Sequence, residues 1–120
     1  VQVLGNDFDI EIVEAHHNQK IDAPSGTALM LADAITEEID RPMKYEYDRH
    51  SKREKRTKNE IGMHSIRGGT IVGEHEIIFA GRDENITLSH SARSKVGAVN
   101  AAVFMSGKPA GMYDMSELVK

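Results

Sequence analysis

The sequence predicts an α+β domain: a mixed, largely antiparallel sheet with helices on one face and the other face open to self-association. Three observations predict it. Residues 8–17, FDIEIVEAHH, alternate with the period of a strand. Residues 25–39 carry apolar side chains at helical spacing. Residues 61–92 hold three more alternating runs separated by turn residues.

Taken in order, Phe8, Ile10 and Ile12 share one face of the first strand, continued by Glu14 and His16. Asp9, Glu11, Val13, Ala15 and His17 share the other. Residues 18–24, NQKIDAP, read as a loop in which Pro24 biases Ala23 away from helix. Ser25 is a favoured N-cap type. After it, Ala28, Leu31, Ala32, Ile35 and Ile39 form an apolar stripe, with Asp33, Glu37 and Glu38 on the outer face and a stop before Pro42. Residues 43–60 have little apolar content and read as a long exposed loop with a short strand at Lys44–Tyr47. Ile61–Arg67, Thr70–Phe79 and the run through Ile86, Leu88, His90 and Ala92 follow, joined at Gly68-Gly69 and at residues 81–84; together they predict an antiparallel meander. A second helix is expected over Val96–Ser106, with Gly107 as its C′ residue and Pro109 as its stop. Met112, Tyr113 and Met115 in the tail suffice to dock it.

A chain of 120 residues fits one domain. Its 39% hydrophobic and 28% charged content argues for a globular protein, against disorder, and against a membrane partner, because no run approaches the ~20 apolar residues of a span. With no Cys, disulfides, thiolate nucleophiles and Cys-type zinc sites are excluded. No targeting segment is recognised, a cytoplasmic setting is expected, and the start on Val suggests a piece of a longer protein. The net charge of −4 is a poor match to nucleic acid. Residues 49–58, RHSKREKRTK, carry six Lys/Arg and one Glu, a local +5 that leaves −9 on the rest. The run has no interleaved aromatics, so a solvated loop is expected there rather than a polyanion-binding surface.

The chemistry-bearing stretch is residues 14–28, EAHHNQKIDAPSGTA. His16 and His17 close a strand and point to opposite faces, so they are not a chelating pair. Lys20 lies in the loop, and Ser25-Gly26-Thr27 opens a helix. The first amides of a helix lack intrahelical partners, and its dipole places about half a positive charge there. Gly26 leaves room for close approach. The combination reads as a cradle for a carboxylate or phosphate, with Lys20 adding charge and a histidine able to exchange protons near neutral pH. Taken singly, such a Ser is most often only a cap and such a His only a packed or surface residue; their clustering at one element boundary is what favours a site. A P-loop, GxSxG, HExxH and GxGxxG are all absent. His75 and His90 are expected on neighbouring strands as a cross-strand pair, and no metal site is expected.

EAHHNQKIDAPSGTA closely resembles the signature of the 4-hydroxy-tetrahydrodipicolinate reductase (dihydrodipicolinate reductase) family of the diaminopimelate and lysine pathway. The resemblance extends to SIRGGTIVGEHEIIFAG at 65–81, ITLSHSA at 86–92, GAVNAA at 97–102 and SGKPAGMYDM at 106–115. It implies that residues 1–120 are a C-terminal domain that binds substrate and forms a homotetramer, while an absent N-terminal Rossmann domain binds NADH or NADPH. It implies His16 as the acid/base residue and Lys20 as the proton donor. It also implies that His17, Lys20, Ser25, Gly26 and Thr27 hold a cyclic dicarboxylate. An assembly module with no activity by itself is the alternative reading. The region HSARSKVGAV is shorter than the family pattern by about four residues between Lys95 and Gly97, more than one helical turn.

Overall fold

The computed structural model describes residues 7–94. The elements are β1 (Asp9–His16), α1 (Gly26–Glu38), β2 (Lys44–Glu46), β3 (Glu60–Arg67), β4 (Gly73–Ala80) and β5 (Asn85–Ala92). The strands form one sheet in the order β2-β3-β1-β4-β5. β2–β3 and β3–β1 are parallel. β1–β4 and β4–β5 are antiparallel and form the longer share of the pairing. This is the expected α+β class.

One expectation needs correction. β3 and β4 are not hairpin partners, because β1 lies between them. The cause is burial. Inserted centrally, Ile10 stands beside Ile61 and Phe79, and Ile12 beside Met63 and Ile77. A local meander would leave β1 at an edge and forfeit half of those neighbours. The parallel step from β1 to β3 needs a crossover, which α1 supplies. The Gly68–Val72 link therefore spans two inter-strand gaps, ~10 Å, around the C-terminal end of β1. It is fastened there: the Gly68 N–H donates to the His16 carbonyl at 3.0 Å, and the Asn18 N–H to the Gly69 carbonyl at 3.1 Å. Gly69 takes a φ of 51°, which suits glycine. Only β4–β5 survives from the meander, closed by a Gly81 N–H bond to the Glu84 carbonyl at 2.8 Å.

Ser25 caps α1 as expected, its hydroxyl accepting the Ala28 N–H at 3.2 Å. The stripe Ala28, Leu31, Ala32, Ile35 and Ile39 packs on Ile10, Ile12, Ile61, Met63, Ile77 and Phe79. Tyr45 of β2 reaches back to Asp33 and Thr36 of the helix. Burial and the Asp33 carboxylate push its hydroxyl up to about 12.

The basic run is largely exposed, as expected, but Arg49, Lys52 and Arg56 are half-buried against the sheet face opposite α1. Arg49 pairs with Glu11 and Glu60, Arg56 with Asp9 and Glu11, Lys52 with Glu46, and Lys58 with Asp9. Arg56 also donates to the Ile10 and Glu60 carbonyls at 2.6 and 2.9 Å. Half-buried carboxylates are the reason, since each needs a counter-charge. The second helix, the Gly107 and Pro109 signals, the tail and the short region at Lys95–Gly97 lie outside the described residues. No helix among the described residues is long and apolar enough to cross a membrane.

Candidate functional site

The strand alternation that buries Ile10 and Ile12 carries on into Glu14 and His16 on the same face. The core therefore ends in two titratable side chains where β1 meets the start of α1. Glu14 is 1% exposed and His16 6%. The His16 Nδ1 contacts Glu14 Oε2. The other carboxylate oxygen lies 2.9 Å from Arg67 Nη1. That contact is an ion pair without hydrogen-bond alignment, so charge holds Oε1. The parallel register sets Arg67 directly beside His16, on the same face.

β4 supplies the next wall. Its His75 is the register partner of Glu14 on one side and of His90 on the other, the cross-strand pair anticipated from sequence. The His75 ring meets His16 edge to face at 5.4 Å between centroids, and its Nε2 lies 3.4 Å from the Ser25 hydroxyl. β1, β4 and the cap of α1 are thus joined through one imidazole. A Cβ at Gly73 would come within 3.3 Å of His16 Nε2, so glycine there keeps that nitrogen approachable.

The loop between β1 and α1 brings in Lys20. Its side chain is 5% exposed, with Nζ 3.0 Å from Asp22 Oδ1. Its positive charge depresses the pKa of both His16 and His75, so the ammonium lies at the same end of the fold as these rings. His17 is half-buried beyond the strand end, its Nδ1 accepting the Gln19 N–H at 3.1 Å. Ser25 and Thr27 are buried, and Gly26 and Thr27 form the first turn of α1. The structure therefore gathers His16, Lys20, Ser25, Gly26 and Thr27 at one end of β1 and leaves His17 at its margin. Three residues escaped the sequence reading as site members: Glu14, Arg67 and His75. Alternation does place Glu14 on the face of His16, but nothing local shows that Arg67 and His75 flank it.

Burial lowers the pKa of His16, against a rise from Glu14 and together with a smaller fall from Lys20 and Arg67. Burial, reinforced by His16, takes His75 down to about 4. Between pH 6.5 and 4 the unfolded chain therefore binds a proton at His75 that the folded one refuses. Stability is fully present above pH 6.5 and lost as pH falls through 4, by about 3 kcal/mol at 1.36 kcal/mol per unit. Urea midpoints measured across that window should show a slope that becomes shallower in His75→Gln. Equal slopes would remove His75 as the cause. The lowered carboxylates Glu11 and Glu60 lose their contribution only below about 4.5, so the two effects separate.

Glu14, His16 and His75 offer donor atoms within 4.8 Å of one another. Glu14, however, is already engaged by the Arg67 guanidinium, and that positive charge beside it opposes a metal cation there. Chemically, the arrangement provides a neutral imidazole, an ammonium and a helix start around one end of a strand. That suits binding an acid and moving a proton.

A family model described as "Dihydrodipicolinate reductase, C-terminus" matches residues 1–119. Proteins named 4-hydroxy-tetrahydrodipicolinate reductase match at 58% identity from Caldanaerobacter subterraneus subsp. tengcongensis, covering 94% of this chain and 47% of the relative, and at 57% from Clostridium tetani, covering 93% and 45%. One from Staphylococcus epidermidis is 56% identical over 96% of this chain and 49% of its own. The chain thus spans about half the length of the curated relatives it matches. Among solved structures, a dipicolinate-bound dihydrodipicolinate reductase from Paenisporosarcina sp. TG-14 superposes with a TM-score of 0.59 at 28% identity, covering 98% of this chain and 42% of that one.

Proposed function

Because the chain belongs to the family of dihydrodipicolinate reductase C-terminal domains, we propose that it supplies substrate binding and proton handling to a 4-hydroxy-tetrahydrodipicolinate reductase of lysine and diaminopimelate biosynthesis. The observation that carries this reading is the meeting of the His16 ring, the Lys20 charge and the capped start of α1 at one end of β1.

The substrate is a cyclic dicarboxylate. One carboxylate lies against the first turn of α1 at Ser25, Gly26 and Thr27, where the helix dipole favours negative charge. Lys20 and His17 hold the ring compound from the loop. Lys20 donates a proton as the hydride arrives, and His16 exchanges protons through Nε2, the nitrogen that Gly73 leaves approachable. In sum the substrate gains a hydride and a proton and loses its hydroxyl as water. NADH or NADPH supplies the hydride, bound by a separate N-terminal domain as the family resemblance implies. His16, buried and neutral at pH 7, is in the state that accepts a proton.

Self-association, as a homotetramer, is the second part of the reading. On the sheet face away from α1, Val13, Ala15, Ile66, Glu74, Glu76 and Ser89 line an open hollow of about 430 Å³, and Ile66 is 51% exposed. That is the half of the face the basic loop leaves bare.

Titration calorimetry with pyridine-2,6-dicarboxylate tests the first part. Saturable heat is expected from the wild type and its loss from Lys20→Ala; equal heats from both remove the cradle. Light scattering on the same sample tests the second part, which a clean monomer at high concentration rules out.

A further inference from the structure

We propose that Arg67 is a positioning residue for this reduction, its one guanidinium fixing the His16 ring through Glu14 and the Lys20 ammonium through Asp22. The proposal rests on the reading above for the roles of His16 and Lys20; the linkage itself stands on geometry.

Arg67 closes β3 on the strand beside β1 and is the register partner of His16. A slip of one residue would send its side chain to the far face of the sheet. From this place Nη1 reaches Glu14 Oε1 at 2.9 Å and the Ile66 carbonyl at 2.8 Å, while Nη2 donates to the Asp22 carbonyl at 2.6 Å. Glu14 and Asp22 each lead onward. The second oxygen of Glu14 meets His16 Nδ1. The carboxylate of Asp22 holds Lys20 Nζ at 3.0 Å. A planar fork has a fixed angle between its nitrogens, so it sets the strand carboxylate and the loop backbone relative to each other, which a lysine could not do.

The consequence for His16 is a defined tautomer. A carboxylate at Nδ1 keeps the proton there and leaves Nε2 as the atom that exchanges protons. The consequence for Lys20 is a defined reach, since Asp22 is largely exposed at its carboxylate and its backbone is what Arg67 pins. The charged groups facing His16 are Glu14 from β1, Lys20 from the following loop, Arg67 from β3 and His75 from β4. Arg67 touches both arms, Glu14 on the strand and the Asp22 carbonyl in the loop.

The test uses the full polypeptide that carries this chain, with Arg67→Lys and Glu14→Gln. Steady-state kinetics give kcat, KM and the pH profile of kcat. Nitrogen-15 spectra of the imidazoles, taken without substrate, give the His16 tautomer. Arg67→Lys is expected to lower kcat about ten- to hundredfold with KM within about threefold, to move the acidic limb of the profile, and to mix the His16 tautomers. Glu14→Gln is expected to do the same to His16 without disturbing Asp22. Wild-type kcat, profile and tautomer in Arg67→Lys overturn the proposal. Should that variant fail to fold, a wild-type His16 tautomer in Glu14→Gln overturns it instead. A wild type that does not reduce the substrate at all would defeat the functional reading, and the imidazole spectra would still decide the linkage.

Discussion

Replacing His16 by Gln in the full polypeptide should lower turnover by roughly two to four orders of magnitude while substrate affinity moves by less than about threefold. The split follows from what the side chain is built to do. His16 is buried, its Nδ1 is committed to Glu14, and only Nε2 looks toward the space above Gly73. A buried ring whose pKa burial depresses offers little charge to a dianion in the ground state. In the proposed acid/base role its contribution falls on the step in which a proton moves. Gln keeps the size and polarity of the site but cannot take up and release a proton. Binding of pyridine-2,6-dicarboxylate should survive the change, since Lys20 and the start of α1 remain. Unchanged turnover would remove His16 from the acid/base role, and lost binding with unchanged turnover would make it a holding residue.

The second large effect is structural and lies on the other face of the sheet. Gly62→Ala should destabilise the fold by about 2–4 kcal/mol, because it evicts a carboxylate that four groups hold. Gly62 of β3 is the register partner of Glu11 of β1, so a Cβ there would collide with the Glu11 carboxylate. Glu11 Oε2 accepts the Gly62 N–H at 3.1 Å, Arg56 Nε at 3.1 Å and Arg49 Nη2 at 3.3 Å, and Oε1 lies 2.7 Å from His64 Nε2. Burial pushes the Glu11 carboxyl up, but His64 and Arg56 outweigh it and the net shift is downward. Displaced, the carboxylate would leave Arg49 and Arg56 facing the sheet without it. The melting temperature should drop by about 10 °C or more. Trypsin should cut the 49–58 run faster, because its arginines and lysines fasten it to the sheet. A melting point within a degree of wild type and an unchanged cleavage rate would show that the Glu11 hub is not what holds that loop.

Both results bear on how much the sequence told. The period of two in FDIEIVEAH was enough to place Ile10, Ile12, Glu14 and His16 on one buried face. The period near 3.6 after Ser25 was enough for α1, its cap and its end before Pro42. The clustering of His16, Lys20 and Ser25-Gly26-Thr27 at one element boundary was legible for the same reason: it depends on neighbours along the chain.

Strand order was not legible. Gly68-Gly69 looks the same to a local reading whether the chain doubles back beside itself or passes around the end of another strand. The choice was made by burial of Ile10 and Ile12 from both sides, a contest between distant segments. The basic run was legible as a charged and largely exposed loop, but its ion-pair partners were not, since Asp9, Glu11, Glu46 and Glu60 are brought to it only by the sheet.

What the sequence by itself determined, then, is what local periodicity and capping fix: the strand and helix runs among the described residues, the buried faces of β1 and α1, and the residues grouped at the start of α1, whereas Ile86 and Leu88 alternate in β5 without being buried. What only the tertiary structure decided is which distant side chains complete that group. Arg67 and His75 come to Glu14 and His16 through β-register, and register is set by how the whole apolar face is packed, a sum over strands that no single stretch contains.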